Sequence, residues 1–408
     1  MLKNKVNIVT ILDICSTKVV CLIARLMHNK KYDVIGIGYT RAEGIKSGII
    51  SDITLAQNSI MSAVSAAEKM AGMKATRAYI AVSSNSLLSH QIVTQISVTG
   101  KDITNKDLNK LLLDAIQICK NQQLETIHTF ACDYILDDNR GILNPIGMYG
   151  NKLACRFHIL SAPSNNLLNL HNCIVKAGLE IENYVSAAYA AGLACLTKDE
   201  TETGVTLIDF GAGVTSFAIF ENDQMVYADA IAIGGNHITS DIAKMLCITI
   251  NEAERIKNLY GGVISTELDL NEIIDINKKN DDDNHDINRA QLIEIIQARI
   301  EEIIQIIEEK LKNYSMSAHN KIVITGGVAR TLRLKEFLSY RLKTKISIGY
   351  PKKISTMNNQ NNSLELATSL GVLSHINDNI MTIVTNGFDQ KNNNNLKNLI
   401  SWFKKTFF

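Results

Sequence analysis

The sequence lacks an excess of charge of either sign, since 42 Lys and Arg residues stand against 41 Asp and Glu residues. A balanced chain has no global field that attracts a polyanion, so binding of nucleic acid would need a local basic patch, and none is evident. The eight cysteines are scattered, without a CxxC pair or a Cys–His cluster at zinc spacing. We therefore expect buried, reduced thiols and a reducing compartment.

Long apolar runs are also missing. No run reaches the roughly 20 residues that a membrane-spanning helix needs. The apolar run after Met1–Lys5 is too short and too strand-like for a signal peptide. The acidic run Asp281–Asp286 lacks the Gly and Glu spacing of a calcium loop, which predicts a solvated loop. The protein is expected to be soluble or peripherally attached to a membrane.

The order of strand and helix patterns indicates an α/β protein with a repeated unit. Runs of apolar and β-branched residues predict strand meanders in the first fifty residues and again from Val205 to Ile233. Twice a strand ends in a carboxylate and leads through a turn into a second strand, at Leu12-Asp13 and at Ile208-Asp209. This repeat suggests two related lobes. A change in the pattern of predicted strands and helices over residues 84–162 predicts a small inserted α+β subdomain.

The turn after the second of these strands has the composition of a phosphate-binding loop. Small residues let the backbone come close to a ligand and present successive N–H groups to an anion. A carboxylate beside such a turn suits Mg²⁺ held through water. The residues are Asp209, Gly211, Ala212, Gly213, Val214 and Thr215. Taken alone, a tight hairpin without a ligand explains this pattern equally well.

The turn after the first strand carries the same kinds of group. Asp13 is followed by Ser16, Thr17 and Lys18, whose hydroxyl and ammonium groups suit phosphate oxygens. Alone, a solvated turn is the simpler interpretation.

A glycine pair opens a helix further along the chain. Gly234, Gly235 and Asn236 stand at a helix N-terminus, where unpaired N–H groups and the helix dipole favour phosphate. An ordinary helix start is an equal alternative.

Two later patterns complete the series. Glu254 and Lys257 lie three apart on one helix face, which alone indicates a surface ion pair. A strand then runs into Gly326 and Gly327, with Arg330 close behind. Glycines at that point permit a flat base to approach, although a sharp turn explains them equally well.

The order of these five patterns resembles that of the nucleotide contacts in the actin, sugar-kinase and Hsp70 superfamily. The resemblance implies ATP held between two lobes, with both turns on the phosphates and with Asp13 and Asp209 near Mg²⁺, bound through water. It also implies that Glu254 and Lys257 face the ribose and base. The adenine pocket would then be lined by Gly326, Gly327 and Arg330.

Within that superfamily the chain is similar to the FtsA family of bacterial cell-division proteins over nearly its whole length. The segments Gly234–Ala243 and Asn144–Gly150 carry this likeness, the second of them in the insertion that separates FtsA from MreB, ParM and Hsp70. The family usually has Gly at the position of Cys15 and Thr at that of Val214, so weaker nucleotide binding is expected. The helix Ala187–Leu196 has no Gln, Glu or Asp to orient water, which predicts slow hydrolysis or none.

The expected fold is an actin-like pair of lobes built from a duplicated, ribonuclease H-like β-meander with helices. We expect lobe 1 over 1–83, 163–195 and a closing helix 356–385, the inserted subdomain over 84–162, the core of lobe 2 over 196–245 and 315–355, its upper subdomain over 246–314, a linker over 386–395 and a membrane helix over 396–408.

The last thirteen residues predict an amphipathic helix. At roughly 100° per residue one apolar stripe results, with lysines off it and an aromatic ring at its edge, which is typical of a helix in a membrane interface. The residues expected at the membrane are Leu396, Leu399, Ile400, Trp402, Phe403, Lys404, Lys405 and Phe407. A terminal helix that packs on its own core is the alternative, and the Asn-rich linker counts against it.

The resemblance implies an ATP-binding protein that forms filaments on the cytoplasmic face of the inner membrane at the division site. It would anchor the FtsZ ring there through the FtsZ C-terminal tail and recruit later division proteins. Two other functions stay open: an ATP-binding scaffold of the PilM kind, and an enzyme of the sugar-kinase type. The basic aromatic end disfavours the first, and the lack of a candidate catalytic acid disfavours the second.

Overall fold

A computed structural model describes residues 8–27, 32–276, 287–312, 321–352 and 364–386 of the 408-residue chain. The predicted membrane helix, the Asn-rich linker beyond Asn386 and the acidic run Asp281–Asp286 lie outside these residues. None of the described helices has the length and apolar character that crossing a membrane requires.

The described ranges contain eighteen strands and eleven helices. The strands are β1 (Ile8–Ile14), β2 (Lys18–Leu26), β3 (Tyr32–Arg41), β4 (Ile45–Lys46), β5 (Ile49–Ile50), β6 (Arg77–Val82), β7 (Leu88–Ser97), β8 (Leu124–Leu136), β9 (Asn139–Ile142), β10 (Lys152–Pro163), β11 (Glu180–Ser186), β12 (Val205–Phe210), β13 (Thr215–Glu221), β14 (Gln224–Ile231), β15 (Ile273–Ile274), β16 (Ile287–Asn288), β17 (Lys321–Thr325) and β18 (Lys345–Ile348). The helices are α1 (Ile53–Ala71), α2 (Asn105–Lys120), α3 (Ser164–Lys176), α4 (Ala187–Cys195), α5 (Lys198–Thr203), α6 (Gly235–Met245), α7 (Ile250–Tyr260), α8 (Glu267–Asn271), α9 (Arg289–Lys312), α10 (Leu334–Leu342) and α11 (Ala367–Asn386).

Two five-stranded sheets of the same topology form the two lobes. The first has the order β11-β6-β1-β2-β3, and the second has the equivalent order β18-β17-β12-β13-β14. In each, three strands form an antiparallel meander, and the first strand of the meander is extended by two parallel strands. The predicted duplication of a β-meander unit is confirmed.

The sheet of lobe 1 is buried on both faces, which is why consecutive residues of β1, from Val9 to Ile14, are buried rather than alternate ones. Ile11 faces the cluster that contains α11, and Leu12 faces the cluster that contains α1. Helix α1 begins at Asp52, whose carboxylate accepts a hydrogen bond from the Leu55 N–H, and ends at Gly72 with φ of 68°. It lies so close to β3 that a Cβ on Gly38 would fall 1.9 Å from the Ala63 carbonyl oxygen.

Helix α4 lies between the two lobes. Its alanines contribute to cores on both sides, and Gly192 lies against the ring of Phe220 in the second sheet. Helix α11 crosses it so closely that a Cβ on Gly371 would fall 1.7 Å from the Ala190 carbonyl oxygen. The small residues of α4 therefore allow close packing of helix on helix.

The inserted subdomain is a four-stranded sheet, β7-β10-β8-β9, with α2 packed on it. It contacts lobe 2 as well as lobe 1. The Gln91 side chain donates to the Val226 carbonyl at 2.7 Å, and His158 Nδ1 lies 2.8 Å from the Met225 carbonyl oxygen. The insertion is thus held against the edge strand β14 of the second sheet.

Candidate functional site

A cleft of about 1200 Å³ opens between the two lobes. It is lined by most of the residues that the five sequence patterns predict, although these are spread over more than 300 positions of the chain. The predicted residues that line it are Asp13, Ser16, Thr17, Lys18, Asp209, Gly211, Ala212, Gly213, Val214, Gly235, Asn236, Glu254, Lys257, Gly326, Gly327 and Arg330.

Asp13 and Asp209 occupy equivalent positions in the repeat. Each is the second-last residue of the first strand of its meander, β1 or β12, and each has a parallel neighbour on the next strand, Ala81 or Thr325. Burial, and after it the Asp13 carboxylate, raises the pKa of Asp209 to about 7, while Lys18 opposes both effects. Burial also raises the pKa of Asp13. Two carboxylates that repel each other in a buried place favour a bound cation.

The hairpin turns next to these carboxylates contact each other across the cleft. A Cβ on Gly213 would fall 2.3 Å from Ser16 Oγ, so only a glycine lets the two turns come so close. Gly326 has φ of +87°, and a Cβ there would fall 2.4 Å from Asp209 Oδ1. These glycines therefore fix the approach of the backbone to the carboxylates.

Thr215 is a correction to the predicted site. It is fully buried, does not line the cleft, and its hydroxyl donates to the Ile233 carbonyl at 2.8 Å. Because Thr215 is the first residue of β13, the strand pleat turns its side chain into the lobe. It positions the segment before α6 rather than a phosphate.

The N-terminus of α6 also differs from the prediction of unpaired N–H groups. The Gly235 N–H donates to the Gly211 carbonyl at 3.0 Å, and the Asn236 N–H donates to the Ala212 carbonyl at 2.8 Å. Gly234 is needed there because a Cβ would fall 2.5 Å from the Gly211 oxygen. These N–H groups hold α6 on the turn after β12, so they are not free to bind an anion.

Glu254 and Lys257 face the cleft on α7 and bind each other. Lys257 Nζ lies 2.6 Å from Glu254 Oε2 and 2.7 Å from the Thr239 hydroxyl, which itself donates to Glu254 at 2.5 Å. Thr239 adds a member to this group that the sequence patterns did not predict. The group presents both charges at one wall of the cleft.

The two unusual residues of the turns have different surroundings. The Cys15 thiol turns back and donates to Asp13 Oδ1 at 3.2 Å, and the Cys15 N–H donates to the Lys18 carbonyl at 3.0 Å. Burial and the Asp13 carboxylate raise the pKa of this thiol well above its ordinary value. Val214 is almost fully buried, with 5% of its surface exposed. Cys15 therefore contacts the Asp13 carboxylate, whereas the Val214 side chain mainly packs inside the protein.

Glu365 is one of the charged residues of the cleft that the sequence patterns do not include. Glu365, just before α11, forms ion pairs with Lys18 and Arg330. Its short 3₁₀ turn, Leu364–Leu366, follows a polar stretch without strand or helix signals. No motif indicates its role, since the position in the cleft depends on the fold of the whole chain.

Comparison with known proteins gives family matches for two parts of the chain. A family model described as "Cell division protein FtsA" matches residues 206–371, and one described as "SHS2 domain inserted in FTSA" matches residues 84–161. The cell division protein FtsA of Agrobacterium fabrum is 34% identical over 364 residues, which cover 86% of this chain and 82% of that protein. That of Rhizobium meliloti is 33% identical over 382 residues, covering 90% and 86%.

The chain belongs to the FtsA family of cell-division proteins. The match of the inserted SHS2 domain coincides with the four-stranded subdomain that carries β7–β10. Relatives named FtsA extend to more distant bacteria, such as that of Neisseria meningitidis, 29% identical over 90% of this chain and 89% of the relative.

Solved structures with an actin-like fold resemble this member of the FtsA family at low sequence identity. The PilM–PilN type IV pilus biogenesis complex contains a chain with a TM-score of 0.65 and 13% identity, covering 90% of this chain and 98% of that one. MreB5 of Spiroplasma citri bound to ADP has a TM-score of 0.54 and 15% identity, covering 92% and 98%. These likenesses establish the fold.

The described residues of this FtsA-family chain form a cleft for which the actin-like neighbours suggest a nucleotide as ligand. They contain no cluster of three or more His, Cys, Asp or Glu side chains that could hold a metal ion by itself. Mg²⁺ usually keeps several waters and takes one or two carboxylates plus substrate phosphates, which agrees with a pair of carboxylates such as Asp13 and Asp209.

Proposed function

We propose that the cleft binds Mg-ATP and that the chain is a peripheral cell-division protein that forms filaments on the cytoplasmic face of the membrane. There it anchors the FtsZ ring and recruits later division proteins. Membership of the FtsA family and the actin-like fold support this proposal. MreB5 of Spiroplasma citri, which shares the fold, was solved bound to ADP, and this is a further reason to expect a nucleotide in the equivalent cleft.

The observation that carries the nucleotide part is the pair of carboxylates at equivalent positions of the two meanders, the buried Asp13 and the partly buried Asp209. Burial and then their mutual repulsion raise the pKa of Asp209 to about 7, and the repulsion costs folding free energy in the absence of a cation. A strained pair of this kind is expected at a functional site rather than in a structural core. Mg²⁺ would bind between the carboxylates and phosphate oxygens, largely through water.

The test is the substitution Asp209→Asn, which keeps the shape and removes the charge. Because the repulsion is lost, we expect the melting temperature of the nucleotide-free protein to rise by about 2–4 °C. Affinity for Mg-ATP, measured by calorimetry, should fall at least about tenfold. The control is Asp138→Asn in the exposed β8–β9 turn, where φ is 69° and Asn adopts this left-handed conformation as readily as Asp. A variant that binds Mg-ATP like the control contradicts the proposed cation site.

We expect ATP to act as a structural ligand with slow hydrolysis or none. Helix α4 carries no Gln, Glu or Asp along Ala187–Cys195, so it offers no side chain to hold an attacking water. Phosphate release from stoichiometric ATP should stay below about one turnover per minute. Fast turnover would favour the enzyme alternative from the sugar-kinase branch.

Attachment to the membrane is proposed for residues 396–408. One short amphipathic helix binds weakly, so stable attachment needs several copies, and filament formation supplies them. Full-length protein and a version ending at Asp389 are sedimented with vesicles containing anionic lipid, with and without Mg-ATP. Only the full-length chain should pellet, and more so with Mg-ATP. Equal behaviour of the two versions would remove the anchor from the proposal.

The partner part of the proposal rests on family membership alone. We expect the FtsZ C-terminal tail to bind the upper subdomain of lobe 2, which contains α9. A fluorescent peptide of that tail should bind the full-length chain and show no binding to a PilM-type protein of the same fold. Absence of binding to the full-length chain would contradict this part of the proposal.

A further inference from the structure

Glu365 joins the two sides of the cleft through two cations. Its carboxylate lies 3.6 Å from Lys18 Nζ, at the start of β2 in lobe 1, and 3.3 Å from Arg330 Nη1, in the 3₁₀ turn after β17 in lobe 2. Lys18 Nζ also donates to the backbone carbonyl of Glu365 at 3.0 Å. We call these three residues the Glu365 bridge.

The bridge uses cations that a nucleotide would also attract. Lys18 lines the cleft on the turn beside Asp13, and Arg330 lines it beside Gly326 and Gly327. A carboxylate at this place attracts Lys18 away from an incoming anion and adds a negative charge that repels phosphate. The side chains are 44% exposed for Glu365 and 52% for Arg330, so the bridge is accessible to solvent and can rearrange without opening a core.

We propose that Glu365 is a positioning residue that couples the phosphate site to the contact between the lobes. In the nucleotide-free protein its carboxylate binds Lys18 and Arg330 and holds the two sides together. When a polyphosphate binds, Lys18 exchanges the carboxylate for phosphate oxygens, and the bridge to Arg330 loosens. The inference rests on the proposed binding of Mg-ATP in this cleft.

The first test compares ligands that differ only in phosphate. Glu365→Gln keeps the size of the side chain and the backbone carbonyl that Lys18 contacts, but it removes the charge. We expect the Kd for Mg-ATP to fall about five- to tenfold and the Kd for adenosine to change by less than about twofold. A residue that merely supports α11 would shift both ligands alike or weaken both.

The matched control is Glu180→Gln. Glu180 also pairs with a cation, Arg77, at 2.9 Å, but this pair lies at the other end of the parallel strands β6 and β11 from the cleft. The control removes one negative charge from the protein without touching the bridge. Its ATP-to-adenosine selectivity should stay at the wild-type value.

A second readout needs no nucleotide. Amide hydrogen exchange over residues 327–331, whose N–H groups lie in the turn that carries Arg330, should be faster in nucleotide-free Glu365→Gln than in the wild type or in Glu180→Gln. Mg-ATP should accelerate exchange of the Glu365 segment in the wild type only.

The outcomes separate the two proposals. If the wild type binds Mg-ATP but Glu365→Gln has the selectivity and exchange of Glu180→Gln, the bridge has no coupling role and the nucleotide site stands. If neither the wild type nor any variant binds Mg-ATP, the proposed nucleotide function is wrong and the coupling is wrong with it. Exchange over 327–331 then shows only whether Glu365 holds the lobes together.

Discussion

At the scale of single residues, the cleft depends on positions where a side chain is forbidden. Gly326 lies so close to Asp209 that a Cβ on it would fall 2.4 Å from Asp209 Oδ1, whereas a Cβ on the neighbouring Gly327 would have no heavy atom within 4 Å. The two adjacent glycines therefore have different tasks: the first shapes the protein, and the second leaves space in the cleft. This difference makes them a natural pair for substitution.

We predict different effects for alanine at these two glycines, one on stability and the other on ATP binding. Gly326→Ala forces a residue with φ of +87° against the Asp209 carboxylate, and the melting temperature should fall by about 2–4 °C or more. Gly327→Ala should leave the melting temperature unchanged but weaken ATP binding, because the added methyl group enters the predicted adenine pocket. Thermal unfolding and calorimetry on both variants decide this. Unchanged ATP binding in Gly327→Ala would place the base elsewhere.

Residue types predicted much of the cleft, and the limits of that prediction are physical. Asp13 and Asp209 stand at the ends of apolar strands, a pattern visible in the sequence. Thr215 carries a hydroxyl of the right kind, but the strand pleat turns it inward, and only the register of β13 shows this. Glu365 reaches the cleft from the far end of the chain, so no local pattern indicates it.

At the scale of elements, the contact between β10 and β14 contains a buried histidine. His158 is fully buried, with Nδ1 2.8 Å from the Met225 carbonyl and Nε2 2.7 Å from the Ser89 hydroxyl. Neutral imidazole satisfies both partners, since Nδ1–H donates to the carbonyl and Nε2 accepts from the hydroxyl. Burial lowers the pKa of His158 to about 4; the hydrogen bond to Met225 opposes this shift, and nearby His90 adds to it.

We predict that stability falls as the pH drops below about 6.5. A base with a lowered pKa in the folded protein takes up a proton more readily when unfolded, so its contribution is complete above pH 6.5 and is lost progressively toward pH 4. The loss from His158 is about 2 kcal/mol at pH 5. The melting temperature should depend less steeply on pH between pH 7 and 5 in His158→Gln than in the wild type. An unchanged slope in His158→Gln contradicts this assignment.

The crossing of α4 and α11 gives a second prediction for elements. Alanine normally favours a helix over glycine by about 1 kcal/mol. Gly371→Ala should nevertheless destabilise the protein by about 1–3 kcal/mol, because its Cβ would lie 1.7 Å from the Ala190 carbonyl oxygen. Ser374→Ala, one turn further along α11, should stay close to the wild type. Thermal unfolding of both variants is the measurement, and a stabilised Gly371→Ala would show that the helices can separate at little cost.

Several elements have no clear sequence signal for reasons that the fold explains. Strand β18 has four residues, and the strand β11 carries polar residues at the sheet edge, so neither produces an apolar run. Helix α10 begins after Arg333, which has a left-handed φ of 63° that its residue type does not suggest. By contrast, α1 has a capping Asp52, apolar residues at helical spacing and a terminal Gly72, which are all visible in the sequence.

At the scale of the whole molecule, the two lobes share the cleft but have separate cores on their outer sides. A ligand that contacts both lobes is expected to stabilise the complete molecule. At 100 times its Kd, Mg-ATP should add about 2.7 kcal/mol of stability. The midpoint of unfolding should therefore rise with the logarithm of the Mg-ATP concentration, and chelation of Mg²⁺ should abolish most of the rise. The absence of any Mg²⁺ dependence would contradict the role of the two carboxylates.

The duplicated topology has a consequence for symmetry. Asp13 and Asp209 are the same position in two copies of one unit, so the proposed cation lies between the two copies. Neither half contains a complete site, and each supplies one anionic ligand to a centre that belongs to both. A change in the angle between the halves therefore alters the coordination sphere itself, which makes occupancy of the site sensitive to the mutual orientation of the halves.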